Sequence, residues 1–448
     1  MKKVCVIGLG FVGSAMSVAV SRPLQDNKPQ FQVVGIDKDT PEGKKRIESL
    51  NRGIFPFPTK DNFLKETLKL SIKNKNFFAT SDFQEIQDAD IIIVDINLDV
   101  KKFKTKYEVI IQPFEQCIEE ISQNCKEDSL IIIETTVPPG TTQKIALPII
   151  KRNFKKRGFK SEPLLSHSYE RVMPGPNYLN SIINFPRVFS AISIESKNRA
   201  KAFFNLILNG ELSFISNTNA SEMAKVLENS YRAMNIAFIE EWTVFAEKAG
   251  VDLYEVLDRI RSRPTHANIM SPGLGVGGYC LTKDSLLAEW ASKELFKGNP
   301  LFFSNSSVNV NDNMASNSFS RIKPLIDRAG KKVLLLGASY LADIGDDRSS
   351  PAISLYDSLK KNGNEVDIID EYITFISSHD LRISNKPRLS KYDTVILTTS
   401  HSKYLSRSFT NKILNLNPKL IIDCWGKLNI PNLGNSIKFV QLGNGATF

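Results

Sequence analysis

The N-terminal segment contains the feature that most constrains the fold of this chain. A β-branched run at residues 3–7 leads into GLGFVG, then a small-residue stretch, then a second apolar run that ends in Asp37. This order of strand, glycine turn, helix, strand and acid is the dinucleotide-binding fingerprint. Gly8 allows the tight turn, Gly10 lets the backbone approach a pyrophosphate, and Gly13 lets the helix pack closely on the strand. A tight turn that binds nothing is the alternative interpretation.

The acid at the end of the second strand discriminates between cofactors. Asp37 can accept a hydrogen bond from the 2′-hydroxyl of an adenosine ribose and would repel a 2′-phosphate, so NAD is favoured over NADP. The residues of this segment predicted to bind the cofactor are Gly8, Gly10, Phe11, Val12, Gly13 and Asp37.

Further apolar runs at residues 89–96 and 129–142, separated by helical patterns, continue an alternating β/α sheet. We expect this dinucleotide-binding domain to occupy residues 1–205. The segment from Asn217 to Gly250 has neither proline nor internal glycine, and its apolar residues recur at spacings of three and four. That spacing predicts one long amphipathic helix that ends at Gly250.

The long helix is predicted to lie in a central helical domain over residues 206–325. Four short apolar runs then alternate with helical stretches and predict a second α/β sheet over residues 326–448, this time without a GxGxxG turn. The expected fold class is therefore α/β, with two Rossmann-like, doubly wound parallel-sheet domains joined by a central long-helix domain.

Composition excludes several classes of protein. No run approaches the roughly 18 uncharged apolar residues of a membrane span, so a cytoplasmic protein without membrane insertion is expected. Five scattered cysteines with no CxxC pair indicate neither a disulfide framework nor a zinc site. The net charge of +10 would suit nucleic acid, an anionic membrane or small polyanions. Nucleic acid is not expected, because the sequence has no basic stripe interleaved with aromatic residues.

Two segments carry residue types that suit carbonyl chemistry. Lys225 and Asn229 are four residues apart and so share a face of the long helix, although a lysine and an amide off an apolar stripe more often mark a solvated face. Residues 281–295 look helical, which would place Cys280 near a helix N-terminus that favours its thiolate, with Asp284 one turn later. A thiol, a carboxylate and a lysine suit aldehyde chemistry. A structural cysteine is the alternative.

The chain resembles the UDP-glucose/GDP-mannose dehydrogenase family over nearly its whole length, and most of all the members that act on UDP-N-acetylhexosamines. The motifs that carry the resemblance are, in order, GLGFVG, Asp37, TTVPPGTT, YERVMPG, SEMAKVLENSYRAMNIAFIEE, PGLGVGGYCLTKD, VND with Met314, and LGASYLADIGDDRSSPA. The resemblance implies a nucleotide-sugar 6-dehydrogenase that oxidises the C6 hydroxymethyl of a UDP-sugar to a carboxylate with two NAD⁺. It also implies a homodimer formed through the long helix and a C-terminal domain that binds UDP.

The same resemblance implies a role for each matching residue. Cys280 would capture the C6 aldehyde as a thiohemiacetal whose oxidation gives a thioester. Lys225 and Asn229 would steady the developing oxyanion, a charge that a buried cation and an amide donor stabilise. Asp284 would work with a water in proton transfer.

Two more residues complete the implied site. Thr136 would lie near that water and beside the cofactor, and Glu170 would assist hydrolysis of the thioester. The residues implied to bind the substrate are Glu170, Arg171, Lys225, Asn229, Gly275, Gly277, Gly278 and Arg348.

The chain also departs from the family pattern. Tyr169 replaces the proline usual before ER, Leu341 replaces a lysine that would contact UDP or the sugar, and VDINLDV at residues 94–100 replaces a CVPTP-like turn beside the cofactor. RPTHANI replaces a PRVNI-like segment, so either Arg263 or His266 stands in for the usual arginine.

The substrate prediction rests on one motif. ERVMPG, with Glu170 followed by Pro174, is similar to members that act on UDP-N-acetylhexosamines, which predicts UDP-GlcNAc or UDP-ManNAc. UDP-glucose is the first alternative. A regulator that binds NAD or a UDP-sugar without catalysis is the second, and the departures from the family pattern keep it open.

Overall fold

The computed structural model describes residues 1–103, 106–173, 175–385, 392–430, 433 and 436–448. The chain divides into two compact units. The first comprises Met1–Glu228 and Leu286–Pro300, and the second comprises Asn229–Ser285 and Leu301–Phe448.

The first unit is built on an eight-stranded sheet. Its strands are β1 (Lys2–Ile7), β2 (Phe31–Ile36), β3 (Phe77–Thr80), β4 (Ile91–Val94), β5 (Leu130–Ile133), β6 (Leu164–Tyr169), β7 (Arg187–Ala191) and β8 (Leu212–Phe214). Their spatial order is β8-β7-β6-β5-β4-β1-β2-β3, and neighbouring strands are parallel except for β6 and β7. The six parallel strands have the order 3-2-1-4-5-6, which is the arrangement of dinucleotide-binding domains.

Helices cover both faces of this sheet, so its central strands are buried on both sides and read as continuous apolar runs. Along β1, Val4 and Val6 belong to one hydrophobic cluster, and Cys5 and Ile7 belong to the cluster on the opposite face. The helices of this unit up to the long helix are α1 (Phe11–Ser21), α2 (Pro41–Asn51), α3 (Asn62–Lys73), α4 (Gln112–Asn124), α5 (Leu147–Lys156), α6 (Tyr178–Asn184) and α7 (Ile194–Ile207).

The first sheet continues past residue 205, where its domain was expected to end. Leu212–Phe214 pairs in parallel with β7 and so belongs to this sheet. The strand β6 was not predicted either. Its sequence, LLSHSY, is wholly buried but half polar, so it lacks the apolar run by which its neighbours were recognised.

The predicted long helix is α8 (Thr218–Ala249), and the chain leaves it through Gly250 at a φ of +70°. After it come α9 (Leu253–Arg261), α10 (Asp284–Trp290) and α11 (Phe302–Ala329). The helix predicted for residues 281–295 begins only at Asp284, and its last turn, Ala291–Leu295, has π geometry.

The second unit contains a five-stranded parallel sheet. Its strands are β9 (Lys332–Leu336), β10 (Glu365–Ile369), β11 (Thr394–Leu397), β12 (Leu420–Asp423) and β13 (Lys438–Gln441). The spatial order β10-β9-β11-β12-β13 is doubly wound about β9. Four of these strands were predicted, whereas β13 was missed because KFVQ is short and has polar ends. The helices α12 (Pro351–Lys361) and α13 (Arg407–Asn415) complete the unit.

No helix in the described part of the chain is long and apolar enough to cross a membrane. The expected α/β class is confirmed, with a central helical region and two sheets that are parallel apart from the β6–β7 pair.

Candidate active site

The glycine turn after β1 has the shape that a dinucleotide needs. Gly8 has a φ of +95°, and a Cβ there would lie 2.7 Å from the carbonyl oxygen of Asp95. A Cβ on Gly13 would lie 1.9 Å from the Gly8 carbonyl, so the first and third glycines are required by packing. A Cβ on Gly10 would meet no atom closer than Oδ1 of Asn97, at 3.9 Å. The second glycine therefore leaves room for a ligand to approach the backbone.

The first turn of α1 is presented to that space. Its N-cap is Gly10, which has no side chain to occupy the first amides, so these amides and the helix dipole suit an anion such as a pyrophosphate. The Phe11 ring stacks on the Phe57 ring, with their centroids 4.0 Å apart. The Phe11 carbonyl accepts a 2.7 Å hydrogen bond from the Tyr178 hydroxyl, so Phe11 is held in place on both sides. Val12 is half-buried. These residues fit the cofactor predicted from the sequence.

Asp37 lies at the carboxyl end of β2, as predicted, and its carboxylate is already oriented. Arg46 Nε donates a 2.7 Å hydrogen bond to one oxygen, and the Lys38 amide donates a 2.9 Å bond to the other. Arg46 was not singled out from the sequence, because its nine-residue separation from Asp37 matches no motif.

Lys225 is buried on α8, so the alternative of a solvated face is wrong. Its Nζ donates a 2.8 Å hydrogen bond to the Glu170 carbonyl and lies 3.6 Å from the carboxylate of the same residue. The Tyr169 ring centroid is 5.7 Å from Nζ. Tyr169, which departs from the family pattern, therefore forms one wall around the ammonium.

One turn earlier on the same helix, Glu222 fastens α8 to the TTVPPGTT turn. Its carboxylate accepts hydrogen bonds from the Gly140 amide at 2.6 Å, the Thr142 amide at 2.7 Å and the Thr142 hydroxyl at 2.6 Å. Burial raises the pKa of Glu222 to about 7, against the lowering effect of these hydrogen bonds. Thr136, half-buried, lies at the start of the same turn.

The segment after β6 carries Arg171, which is only partly buried. It donates to the Pro186 carbonyl at 2.9 Å and pairs with Glu228 at 3.3 Å. The Glu170 carboxylate accepts a hydrogen bond from the Val172 amide. Pro174, on which the substrate prediction partly depends, lies outside the described residues.

In the second unit, Asn229 and Asp284 are in direct contact. The Asn229 amide donates a 2.6 Å hydrogen bond to Oδ2 of Asp284, and the Lys283 ammonium lies 3.1 Å from Oδ1. Asp284 is 1% exposed, so both donors hold its carboxylate in a single orientation. Lys283 was not among the predicted site residues, although it adjoins Asp284 in the sequence.

Cys280 is exposed and sits one turn before α10. Its carbonyl accepts hydrogen bonds from the amides of Lys283 at 3.1 Å and Asp284 at 2.9 Å, so this turn leads directly into the helix. The expectation that the helix starts at residue 281 is therefore wrong, although the turn does orient the cysteine and Asp284 together. The five cysteines, all in described positions, form no disulfide.

The glycines before Cys280 pack against the chain itself. A Cβ on Gly277 would lie 2.5 Å from the Ser349 carbonyl, and one on Gly278 would lie 2.9 Å from the Tyr340 ring. Gly275 adopts a φ of +123°. At Gly277 and Gly278, therefore, the segment that carries Arg348 occupies the space in which a sugar nucleotide was predicted to approach.

Arg348 is anchored within that segment. Its guanidinium contacts both oxygens of Asp346, with Nε at 3.0 Å and Nη2 at 2.7 Å. Burial disfavours the charge of Arg348, but the hydrogen bonds and charge of Asp346 outweigh burial and raise its pKa. Leu341 is 48% exposed where the family has a lysine, and Arg263 and His266 are also exposed.

The structure thus joins several predicted residues within each unit. The first unit brings Lys225 to Glu170, and the second brings Asn229 to Asp284 and the glycine segment to Arg348. Within the described residues no group of His, Cys, Asp and Glu is arranged to hold a metal ion.

Comparison with known proteins identifies the family. The chain matches the NAD binding domain of the UDP-glucose/GDP-mannose dehydrogenase family over residues 2–207, its central domain over residues 219–313 and its UDP binding domain over residues 334–430. The chain belongs to this family. Its NAD-binding and UDP-binding domains make it an NAD-dependent nucleotide-sugar dehydrogenase by family.

Individual relatives are similar over nearly their whole length. A UDP-N-acetyl-D-mannosamine dehydrogenase of Methanocaldococcus jannaschii is 27% identical over 438 residues, 96% of this chain and 93% of the relative. A UDP-N-acetyl-D-glucosamine 6-dehydrogenase of Pseudomonas aeruginosa is 26% identical over 91% and 93% of the two chains. The solved structure of a UDP-D-ManNAc dehydrogenase from Pyrococcus horikoshii superposes with a TM-score of 0.82 at 22% identity, covering 99% and 100% of the chains, which supports the fold.

Proposed function

We propose that this chain oxidises the C6 hydroxymethyl of a UDP-N-acetylhexosamine, UDP-GlcNAc or UDP-ManNAc, to the uronate in two successive oxidations. NAD⁺, when bound in the first unit, supplies the hydride acceptor for each oxidation. The substrate class is supported by the names of the relatives that the chain resembles and by the ERVMPG motif.

Cys280 acts between the two oxidations. Its thiolate adds to the C6 aldehyde, a C–S bond forms, and the carbonyl oxygen becomes an alkoxide that takes up a proton. Loss of the remaining C6 hydrogen as a hydride, together with the hydroxyl proton, converts this thiohemiacetal to a thioester. Water then breaks the C–S bond, which releases the carboxylate and regenerates the thiol. The overall change is an alcohol and water converted to a carboxylate, with two hydrides and three protons released.

The other residues act on charge and protons. Lys225, a buried cation, and the Asn229 amide stabilise the oxyanion, since donors already in place cost little reorganisation when the charge develops. Asp284 accepts the proton of the C6 hydroxyl in the first oxidation and that of the attacking water in the hydrolysis. Thr136 is assigned a supporting role beside the cofactor. Glu170 assists the hydrolysis of the thioester, and Arg171, Arg348 and Gly275 bind the nucleotide sugar, while Gly277 and Gly278 let the segment that carries Arg348 pack closely.

One observation carries this proposal. An exposed thiol, Cys280, lies one turn before a carboxylate that is almost fully buried and that receives a 2.6 Å hydrogen bond from Asn229. A domain that only binds its ligands has no need to hold a carboxylate in one orientation beside an exposed cysteine. This arrangement therefore favours an enzyme over a non-catalytic regulator.

The test is a panel of UDP-sugars with NAD⁺, followed by NADH absorbance and by quantitation of the uronate. We expect UDP-GlcNAc or UDP-ManNAc to react faster than UDP-glucose, because a site built for the acetamido group leaves polar groups unpaired when that group is missing. Two NADH should form for each uronate. Faster oxidation of UDP-glucose would overturn the choice of sugar, and no NADH with any UDP-sugar would favour the regulator.

We also propose that the protein forms a homodimer through α8. Seven apolar side chains along this helix are between 38% and 62% exposed, which is unusual for large hydrophobic residues in one stripe: Met223, Leu227, Tyr231, Met234, Phe238, Trp242 and Phe245. Light scattering after gel filtration should give twice the chain mass. Trp242→Ser should reduce that mass, whereas Ile194→Ser, which changes a residue 79% exposed on α7, should not.

A further inference from the structure

A pair of buried carboxyl groups lies at the carboxyl edge of the first sheet. Val94 of β4 pairs in register with Ile133 of β5. Because parallel neighbours end at the same edge, the next residues, Asp95 and Glu134, stand side by side. Asp95 is 8% exposed and Glu134 is 2% exposed. Asp95 lies within VDINLDV, one of the segments in which the chain departs from its family.

The hydrogen bonds around this pair are incomplete if both groups are ionised. One Glu134 oxygen pairs with the Arg187 guanidinium. The other, Oε2, and Oδ2 of Asp95 are both buried, and neither has a donor among the described residues. A proton held between the two carboxyl groups would satisfy both oxygens, whereas two adjacent buried negative charges would repel each other.

The surroundings of Asp95 favour its protonated form. The charged groups that face it are Glu134 after β5, Glu170 after β6 and Arg187 at the start of β7. Burial, followed by the charge and hydrogen bond of Glu134 and by the charge of Glu170, raises the pKa of Asp95 well above its usual value, and Arg187 only partly opposes them.

Asp95 also touches the turn that approaches the cofactor. Its amide donates a 2.8 Å hydrogen bond to the Ile7 carbonyl at the end of β1. Its carbonyl lies against Gly8, and a Cβ on Gly13 would be 3.1 Å from the Asp95 Cβ. The Asp95 side chain therefore leaves the backbone beside the first turn of α1, where the backbone amides are presented to an anion.

We propose that Asp95 and Glu134 share one proton and that this proton makes the affinity for NAD dependent on pH. While the proton is present, the pair carries one negative charge, which Arg187 balances. Loss of the proton places a second negative charge beside the amides that would bind the pyrophosphate, which is itself an anion. NAD affinity should therefore fall as pH rises through the titration of the pair, and by linkage NAD should promote protonation.

The proton can be detected without cofactor or substrate. Infrared spectra of the protein at neutral pH should contain the carbonyl band of a buried, protonated carboxyl group. Glu222, whose pKa is also raised, contributes to this region in every variant, so the test is the difference spectrum between wild type and Asp95→Asn. That spectrum should show the loss of one such band, because the amide of Asp95→Asn can donate to Glu134 in place of the shared proton. The matched control is Asp88→Asn, which changes a side chain 74% exposed in the same unit and should retain the band. A difference spectrum without this loss would overturn the proposal.

The effect on the cofactor is measured by calorimetry with NAD alone over a series of pH values. The wild-type Kd should rise with pH by up to about tenfold per unit, and binding in buffers of different ionisation enthalpy should show proton uptake. Asp95→Asn should show neither effect, while Asp88→Asn should behave as wild type. A wild-type Kd that is constant with pH, or the same pH dependence in Asp95→Asn, would refute the link. Since no UDP-sugar is present, these outcomes do not depend on the reaction proposed above.

Discussion

The Lys225 ammonium donates a 2.8 Å hydrogen bond to the Glu170 carbonyl and lies 3.6 Å from the Glu170 carboxylate. A cation held this way can respond to a negative charge that appears during the reaction. We therefore expect Lys225→Ala to lower kcat by roughly 100-fold or more while UDP-sugar affinity stays close to wild type, because the lost interaction strengthens in the transition state.

Steady-state kinetics and isothermal titration with the UDP-sugar would separate these two effects. Lys248→Ala is the control, since it removes an exposed lysine from the same helix and should leave both values unchanged. Equal loss of affinity and kcat in Lys225→Ala would assign Lys225 to ground-state binding instead.

Cys280 should be needed only after the first oxidation. Cys280→Ser can form a hemiacetal, but oxidation of that hemiacetal leaves an ester that hydrolyses poorly, so we expect a lasting covalent adduct and little free uronate. Cys280→Ala should form no adduct. Intact-protein mass spectrometry after mixing with UDP-sugar and NAD⁺ measures this, with Cys117→Ser, a partly buried cysteine on α4, as the control. Two NADH per substrate from Cys280→Ala would show that the cysteine is structural.

The Asp37–Arg46 pair should set the cofactor preference. Asp37→Asn removes the charge that repels a 2′-phosphate and leaves the Arg46 guanidinium without an anionic partner. We expect the ratio of kcat/KM for NADP⁺ over NAD⁺ to rise by roughly tenfold or more, about 1.4 kcal/mol. Asp39→Asn, which alters an exposed carboxylate paired with Lys44, should leave the ratio unchanged. An unchanged ratio in Asp37→Asn would mean that Asp37 does not face the ribose.

Asp370 should stabilise the second unit in a pH-dependent way. Its Oδ2 accepts hydrogen bonds from the amides of Ala338 at 2.7 Å and Ser339 at 2.9 Å. The same oxygen lies 3.0 Å from His401 Nε2. The Asp343 amide donates to His401 Nδ1, so Nε2 carries the proton and donates to Asp370. Burial acts against the charge, but the His401 and backbone hydrogen bonds outweigh it and lower the pKa of Asp370 to about 2.

Because this folded-state pKa is lower than the ordinary value of about 4 for aspartate, the stabilisation is present above about pH 4 and lost towards pH 2. Asp370→Asn should reduce the free energy of unfolding at neutral pH by roughly 1.5–3 kcal/mol. In thermal melts, the difference from wild type should shrink as the pH falls through that range. Asp357→Asn, in an exposed pair with His379, should cost little at any pH. A difference between wild type and Asp370→Asn that does not vary with pH would contradict this account.

The helices and strands that the sequence predicts best are those with a continuous local pattern of apolar residues. The strands β4 and β5 are apolar throughout, β1 and β9 are apolar after their first lysines, and α8 has unbroken helical spacing, so their existence follows from the local residue pattern. By contrast, β6 contains Ser166, His167 and Ser168. All three are buried. The hydroxyls of Ser166 and Ser168 donate to the carbonyls of Ser190 and Val188, and His167 Nδ1 lies 2.7 Å from the Ser221 hydroxyl. Such partners come from distant segments, and no local pattern shows them.

The same limit applies to the site. Cys280, Asn229 and Asp284 lie in motifs with fixed spacing, so they could be singled out before their contacts were known. The neighbours Asp95 and Glu134 are 39 residues apart, and their contact depends on the pairing of Val94 with Ile133. Lys283 and Arg46 were likewise missed, because an exposed and a buried cation look the same in a sequence.

The two faces of α8 have different roles in the protein. Its exposed apolar stripe adds little to the packing of a single chain, while Lys225 lies on a buried face of the same helix. Folding of one chain therefore places few restrictions on the stripe, and polar substitutions there should be tolerated by expression and thermal stability. If two copies of the chain associate along this stripe, substitutions that separate the copies would leave each chain folded. Assembly and catalysis would then be free to evolve independently of each other.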